Sequence, residues 1–186
     1  MSSFSRAEIL ARLAPIIVKS LHVDAARVTE DAYLSDLGAE SLDLIEITMG
    51  IEEAFDIWIP EKSILQTARE VYGEGVLETD GVLTQAGKDL LRARMPEIAA
   101  ESLAGDVTMA AVNREFMRVS GWVRMIESFI EATPQVCAAC GGALGRALAY
   151  KRKCAACGAE SALTPGEEVN KRWVLAYQAA GRNTAQ

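Results

Sequence analysis

Asp36–Pro60, reading DLGAESLDLIEITMGIEEAFDIWIP, sets one serine, Ser41, on a turn directly ahead of an amphipathic, acid-flanked helix. Leu42, Ile45, Met49 and Phe55 recur at roughly helical spacing, while Asp43, Glu46, Glu52, Glu53 and Asp56 take other positions. The pattern predicts a helix from Ser41 to about Phe55, with that apolar stripe packed inward and an acidic face left for a partner. The Ser41 hydroxyl is then exposed at a helix start. A serine at such a place is usually only a cap for the helix, so its meaning depends on the surrounding residues.

Upstream, Ser5-Arg6-Ala7-Glu8 reads as a capping box and opens a first helix, whose stripe Ile9, Leu13, Ile16, Ile17 and Leu21 runs to about residue 21. A polar connection from His22 to Ser35 follows, with Val28, Tyr33 and Leu34 dipping into the core. Pro60 closes Ile57-Trp58-Ile59 and is expected to open a short third helix.

The residues around Ser41 resemble the second and third helices of an acyl carrier protein, including the Asp-Ser-Leu-type attachment site. The match departs at Glu40, where that family usually has Asp; the charge is kept and the side chain is one methylene longer. The resemblance implies that a phosphopantetheinyl transferase moves 4′-phosphopantetheine from coenzyme A to the Ser41 hydroxyl, leaving a phosphodiester near the positive end of the helix. Acyl groups would then ride on the terminal thiol as thioesters, and the carrier itself would catalyse nothing. Glu40, Leu42, Asp43, Glu46, Glu52, Glu53 and Asp56 would form the docking face for acyl-activating, synthase or acyltransferase enzymes with basic patches. Exposed carboxylates steer such encounters more than they add affinity. For any single residue an ordinary solvated helix face explains the charge equally well; the set is more persuasive. Met49 fits core packing better than an acyl-cleft role.

A plain carrier domain would reach its fourth helix soon after Pro60, but here Gly73-Glu74-Gly75 and Thr79-Asp80-Gly81 give turn signals instead. Thr84 can cap a helix through Leu90, Leu91 and Met95, a helical stretch can cover Ile98 to Leu103, and Thr108 can cap a further helix through Val112 and Phe116. Val119–Ile130 resembles the missing last helix, with Ser120 as its cap and Trp122, Val123, Ile126 and Ile130 inward. The expected fold is therefore mainly α. Residues 1–133 form a four-helix carrier bundle interrupted by a helical insertion at about residues 66–116; a bundle closed earlier by Ile64 to Val71 is the alternative.

Beyond Pro134, Cys137-Ala138-Ala139-Cys140-Gly141 repeats as Cys154-Ala155-Ala156-Cys157-Gly158, with Leu148, Ala149 and Tyr150 expected in a strand between them. Two Cys-x-x-Cys-Gly knuckles at this spacing match tetrahedral thiolate ligation of zinc and resemble a zinc ribbon. Two disulfides, a redox dithiol and an iron–sulfur site are the other chemistries of the same pattern. Four thiolates leave no open position, so a zinc here would be structural. Thr164-Pro165-Gly166-Glu167 reads as a capping box for a terminal amphipathic helix bearing Val169, Trp173, Leu175 and Tyr177, stopped at Gly181 and followed by a frayed tail. Residues 134–186 thus read as a four-cysteine, zinc-ribbon-like module with a C-terminal helix.

The net charge of −7 divides unevenly: residues 1–60 carry 11 acids against 4 bases, and residues 137–186 carry 7 bases against 3 acids. The acidic front suits basic partners and argues against nucleic acid, and Lys151-Arg152-Lys153 has no interleaved aromatics to make a nucleic-acid platform. His22 is the only histidine, which leaves little material for Ser-His or Cys-His catalysis. No run approaches the roughly 18 apolar residues of a membrane span, and Met1–Arg6 lacks a secretory pattern, so a cytoplasmic protein is expected. The competing class is a zinc-dependent adaptor for protein or nucleic acid, whose carrier-like domain is vestigial.

Overall fold

The computed structural model describes residues 4–148 and 150–183. Helix α1 spans Arg6–Leu21, and its start is the expected capping box: Ser5 Oγ accepts from the Glu8 amide at 3.3 Å while the Glu8 carboxylate accepts from the Ser5 amide at 2.8 Å. Helix α2 covers Ser41–Phe55. Helix α3, Ile64–Tyr72, opens at Ser63 and not at Pro60; Ser63 Oγ accepts from the Gln66 amide, and the buried Ile57 and Ile59 hold the chain before it in an irregular path.

Glu78–Thr79 (β1) and Val82–Leu83 (β2) form a small antiparallel hairpin, turned by Asp80 and Gly81 at φ 51° and 76°. Two positive φ values in succession are what a tight type I′ turn demands. Helix α4, Gln85–Arg94, is capped by Thr84, and α5, Met109–Phe116, by Thr108. Between them the expected helix over Ile98 to Leu103 shrinks to a 3-10 turn at Ala100–Leu103.

Helix α6 spans Val119–Ala132. Ser120 does not cap it. The helix begins after Arg118, and its first amides are taken by the connection before α2: Val119 N donates to Ala32 O and Ser120 N to Glu30 O, both at 2.9 Å. With those donors satisfied by backbone, the Ser120 hydroxyl is left buried and unpaired. After Pro134, Leu144–Leu148 (β3), Lys151–Cys154 (β4) and Glu160–Ala162 (β5) make an antiparallel sheet in the order β3-β4-β5. The strand expected at Leu148–Tyr150 therefore lies earlier. Tyr150 sits in the turn at φ 58°, and Ala149 falls outside the described residues.

Helix α7, Gly166–Asn183, continues through Gly181. Glu167 does not reach back to a cap, because its carboxylate accepts from the Glu61 amide at 2.7 Å. The tail at 184–186 lies outside the described residues.

Two apolar clusters organise these helices. Ile9, Leu13 and Ile17 of α1, Ile47, Ile51 and Phe55 of α2, and Val119, Val123, Ile126 and Phe129 of α6 share the first, joined by Val28, Leu34 and Leu37 from the connection. Ile64, Leu65 and Ala68 of α3 belong instead to the second, with Leu90 and Leu91 of α4, Val112 of α5 and Val174 of α7. Helix α7 thus leaves the cysteine-bearing sheet and packs on α3. Trp173, Val174 and Tyr177 give it an apolar face, and Gly166 lets its start approach Pro60, where a Cβ would stand 2.3 Å from Pro60 Cδ. Among the described residues no helix is long and apolar enough to cross a membrane.

Ile126 is fully buried where α6 meets α1 and α2. Ile126→Ala is expected to cost about 2–5 kcal/mol. In a denaturant titration followed by hydrogen exchange, α1 and α2 should lose protection together with α6. Loss confined to α6 would count against a shared core.

Candidate functional site

Three local devices set the backbone around Ser41. Leu37 is buried, Gly38 takes a positive φ of 93°, and Ala39 N donates to Leu34 O at 2.9 Å, so the turn is pinned to the core just before α2. Asp36 is held from outside by Arg114 of α5, whose two terminal nitrogens reach its two oxygens at 3.1 and 2.9 Å. The cap position of α2 falls on Glu40, and the Asp43 carboxylate accepts from the Glu40 amide at 2.8 Å. Ser41 is the first helical residue, exposed, and its hydroxyl takes part in no hydrogen bond among the described residues. The cap function that a serine would ordinarily serve is met by its neighbours. An anion attached there would lie at the positive end of a 15-residue helix.

The face of α2 that turns inward is not the expected one. Ile47, Ile51 and Phe55 are buried, whereas Leu42, Ile45 and Met49 are 79%, 57% and 64% exposed. The helix is apolar on most sides, and α1 and α6 select the Ile47 side. Leu42, Ile45 and Met49 therefore form an apolar strip beside Ser41, flanked by the exposed Glu40 and Glu46.

On the opposite flank of α2 lies a cavity of about 390 Å³. Leu44 and Thr48 contribute from α2, Trp122 and Met125 from α6, Met95 from the end of α4 and Phe116 from α5. Leu44 is three residues beyond Ser41, about 4.5 Å along the helix axis.

The four cysteines converge. Their sulfurs all lie within 4.8 Å of one another, with Cys137 and Cys157 at 3.6 Å and Cys140 and Cys154 at 3.5 Å. Ligands about 2.3 Å from a tetrahedral ion stand roughly 3.8 Å apart, so the donor set and its spacing fit zinc. Each knuckle turns through a glycine at positive φ, Gly141 at 71° and Gly158 at 75°, closed by Gly141 N to Cys137 O and Gly158 N to Cys154 O. At Gly142 a Cβ would press on the sulfurs of Cys154 and Cys140 at 3.1 and 3.3 Å. Amide donors, Cys157 first and Ala156 after it, lower the Cys154 thiol to about 6. Cys140, although the Gly142 amide pulls it down, is pushed up to about 12 by its hydrogen bonds to the sulfurs of Cys157 and Cys154. One thiolate forms readily; a cation in the cage is what would let the others follow.

Not all of the expected docking carboxylates are open. Asp56, the left-handed cap of α2 at φ 53°, receives Arg152 Nε at 2.7 Å, and both side chains are largely buried. Glu52 accepts from the Ile59 amide and from the Tyr150 hydroxyl, at 2.9 and 3.2 Å. The Glu53 carbonyl accepts from Arg146 Nη1 at 2.7 Å, while the Glu53 residue itself stays exposed. Sequence reasoning does not reach Arg146, Tyr150 and Arg152 in this role. The available signal is the opposite charge of the two chain ends, which reads as two separate fields until the fold brings them together.

Residues 11–73 match the family profile described as phosphopantetheine attachment site. The chain is also similar to the acyl carrier protein of Guillardia theta, at 48% identity over 60 residues, which is 32% of this chain and 74% of that protein. No solved structure matches.

Proposed function

The chain belongs to the acyl carrier protein family, and on that premise we propose that it holds acyl intermediates as thioesters on a 4′-phosphopantetheine arm attached to Ser41, presenting them to fatty-acid, lipid or polyketide-type enzymes. The observation that carries this reading is the exposed, uncommitted hydroxyl of Ser41 at the first position of α2, inside the matched segment. The arm supplies the thiol that bears the acyl group; the protein supplies placement and recognition. Asp36, held by Arg114, and the buried Leu37 keep the turn in one shape, so Ser41 is offered to a transferase on a firm base.

The cavity between α2, α6 and the inserted segment is the proposed shelter for the acyl chain. Its walls are mostly apolar, and Met95 and Met125 can adjust to chains of different shape. The inserted residues Met95 and Phe116 form part of that wall, which supports a part for the insertion in chain selection. Partners are a phosphopantetheinyl transferase and acyl-activating, synthase or acyltransferase enzymes whose basic patches meet the open strip at Leu42 and Ile45 with Glu40 and Glu46. Cys137, Cys140, Cys154 and Cys157 hold a structural zinc ion on this reading.

Incubation of the full chain with coenzyme A and a phosphopantetheinyl transferase should raise the intact mass by one phosphopantetheine. An unchanged mass after treatment with several transferases overturns the proposal.

A further inference from the structure

The C-terminal half of α2 already has an occupant. Arg152, itself buried, spends its guanidinium on Asp56 and on Pro134 O at 2.7 Å, and on Gln135 Oε1 at 3.1 Å. Arg146 supplies a donor to one of the last carbonyls of α2, which that helix end leaves without an intrahelical partner. Tyr150 adds its hydroxyl to Glu52 and lays its ring on Trp58, with centroids 4.2 Å apart. Two cations and an aromatic ring set against acidic residues at a helix C-terminus are the chemistry of a basic docking patch on a carrier helix. Here the patch is on the same chain.

We infer that the cysteine-bearing module fills the C-terminal half of the α2 docking face in place of an external partner. Partner enzymes are left with the Ser41-proximal half, the apolar strip Leu42, Ile45 and Met49 flanked by Glu40 and Glu46, and beyond it with the Glu53 carboxylate, which stays exposed because the module takes only its carbonyl. The partner that fits is one with a short apolar patch and a cation placed to meet Glu46. An enzyme that needs Glu52 or Asp56 is excluded while the module is seated. The seat is not a continuous core. A cleft of about 580 Å³ remains between α1, α2 and the module, with Ile16, Met49 and Tyr150 on its walls, so the module is held by a few directed polar contacts and one ring contact. The inference rests on reading α2 as the docking helix of a carrier.

Two measurements on the full chain separate the inference from that reading. The first is carboxylate labelling with a water-soluble carbodiimide and glycine ethyl ester, read by peptide mass spectrometry. Asp56 should label about tenfold more slowly than Glu46, the protection given by a buried charge-assisted pair. In Arg152→Gln its rate should approach that of Glu46. Equal rates in the wild type overturn the inference outright, whether or not the variant folds.

The second is transferase kinetics with coenzyme A. Glu46→Gln should raise KM several-fold, and Glu52→Gln should leave it within about twofold, since one open charge matters to encounter and a covered one does not. A Glu52→Gln effect as large as that of Glu46→Gln overturns the exclusion even if Asp56 is protected. If the transferase adds nothing to the wild type, the carrier reading fails, and the labelling still decides whether the module is seated.

Discussion

Ser41→Ala is expected to abolish phosphopantetheine addition completely while leaving the fold intact. After coenzyme A and a transferase, the intact mass of the variant should stay at its starting value. Its stability should lie within about 0.5 kcal/mol of the parent, as for a surface change that breaks no contact. The structure explains why the two effects separate. Ser41 lies one position inside α2, Glu40 holds the cap position, and Asp43 closes the first turn, so the hydroxyl contributes nothing to the helix start. Several other serines cap helices, bridge side chains or are buried. Ser5 and Ser63 cap α1 and α3, Ser20 and Ser120 are buried, and Ser128 bridges Arg94 and the Arg124 carbonyl. Mass addition that persists in Ser41→Ala would move the attachment point off α2. Unfolding of the variant would mean that the hydroxyl holds the turn.

Features that depend on residues three or four apart were legible in the sequence. The capping box at Ser5 and Glu8, the Thr84 and Thr108 caps, and the Asp80-Gly81 turn all involve partners that a local pattern can pair. Apart from the start of α3, where the local Ser63–Gln66 capping box was passed over for Pro60, what failed depended on distant chain. Helix α2 carries Leu42, Leu44, Ile45, Ile47, Met49 and Ile51 within ten residues, so its periodicity admits two inward faces, and only α1 and α6 decide between them. Ser120 looks like a cap until carbonyls at Glu30 and Ala32 arrive to take the first amides of α6. Glu167 looks like the far half of a capping box until the Glu61 amide, 106 residues away, claims it. The same applies to Asp56 and Arg152, whose pairing spans 96 residues and removes from the expected docking face a carboxylate that sequence alone leaves on it. The proposed attachment serine escaped this problem because everything that marks it lies between Asp36 and Asp43, apart from the Arg114 clamp.

Removal of metal is expected to dissolve the module between Cys137 and Ala162 and spare the helices. Among the described residues the apolar content of that segment is small: Cys137, Leu144 and Cys154 are its buried cluster, with Ala159 against it, and its three strands are three to five residues long. So few buried groups cannot offset the conformational entropy of some 25 residues, at about 1–2 kcal/mol each for the backbone alone. A four-thiolate zinc site can, since structural sites of this kind contribute about 10–16 kcal/mol to folding in small zinc peptides. Native mass spectrometry should find one zinc per chain. Chelation should then make the backbone amides of the module exchange freely, while α1, α2 and α6, whose core contains none of the four cysteines, keep their protection. Cys154→Ser should do the same without a chelator. The loss should also reach α2: with Arg152 no longer held in β4, Asp56 and Glu52 become open carboxylates, and the docking face lengthens by its C-terminal half. Chelation that removes zinc yet leaves the module's amides protected would show that the strands and the Arg152 clamp suffice, and that the four thiols do not hold this part of the fold together.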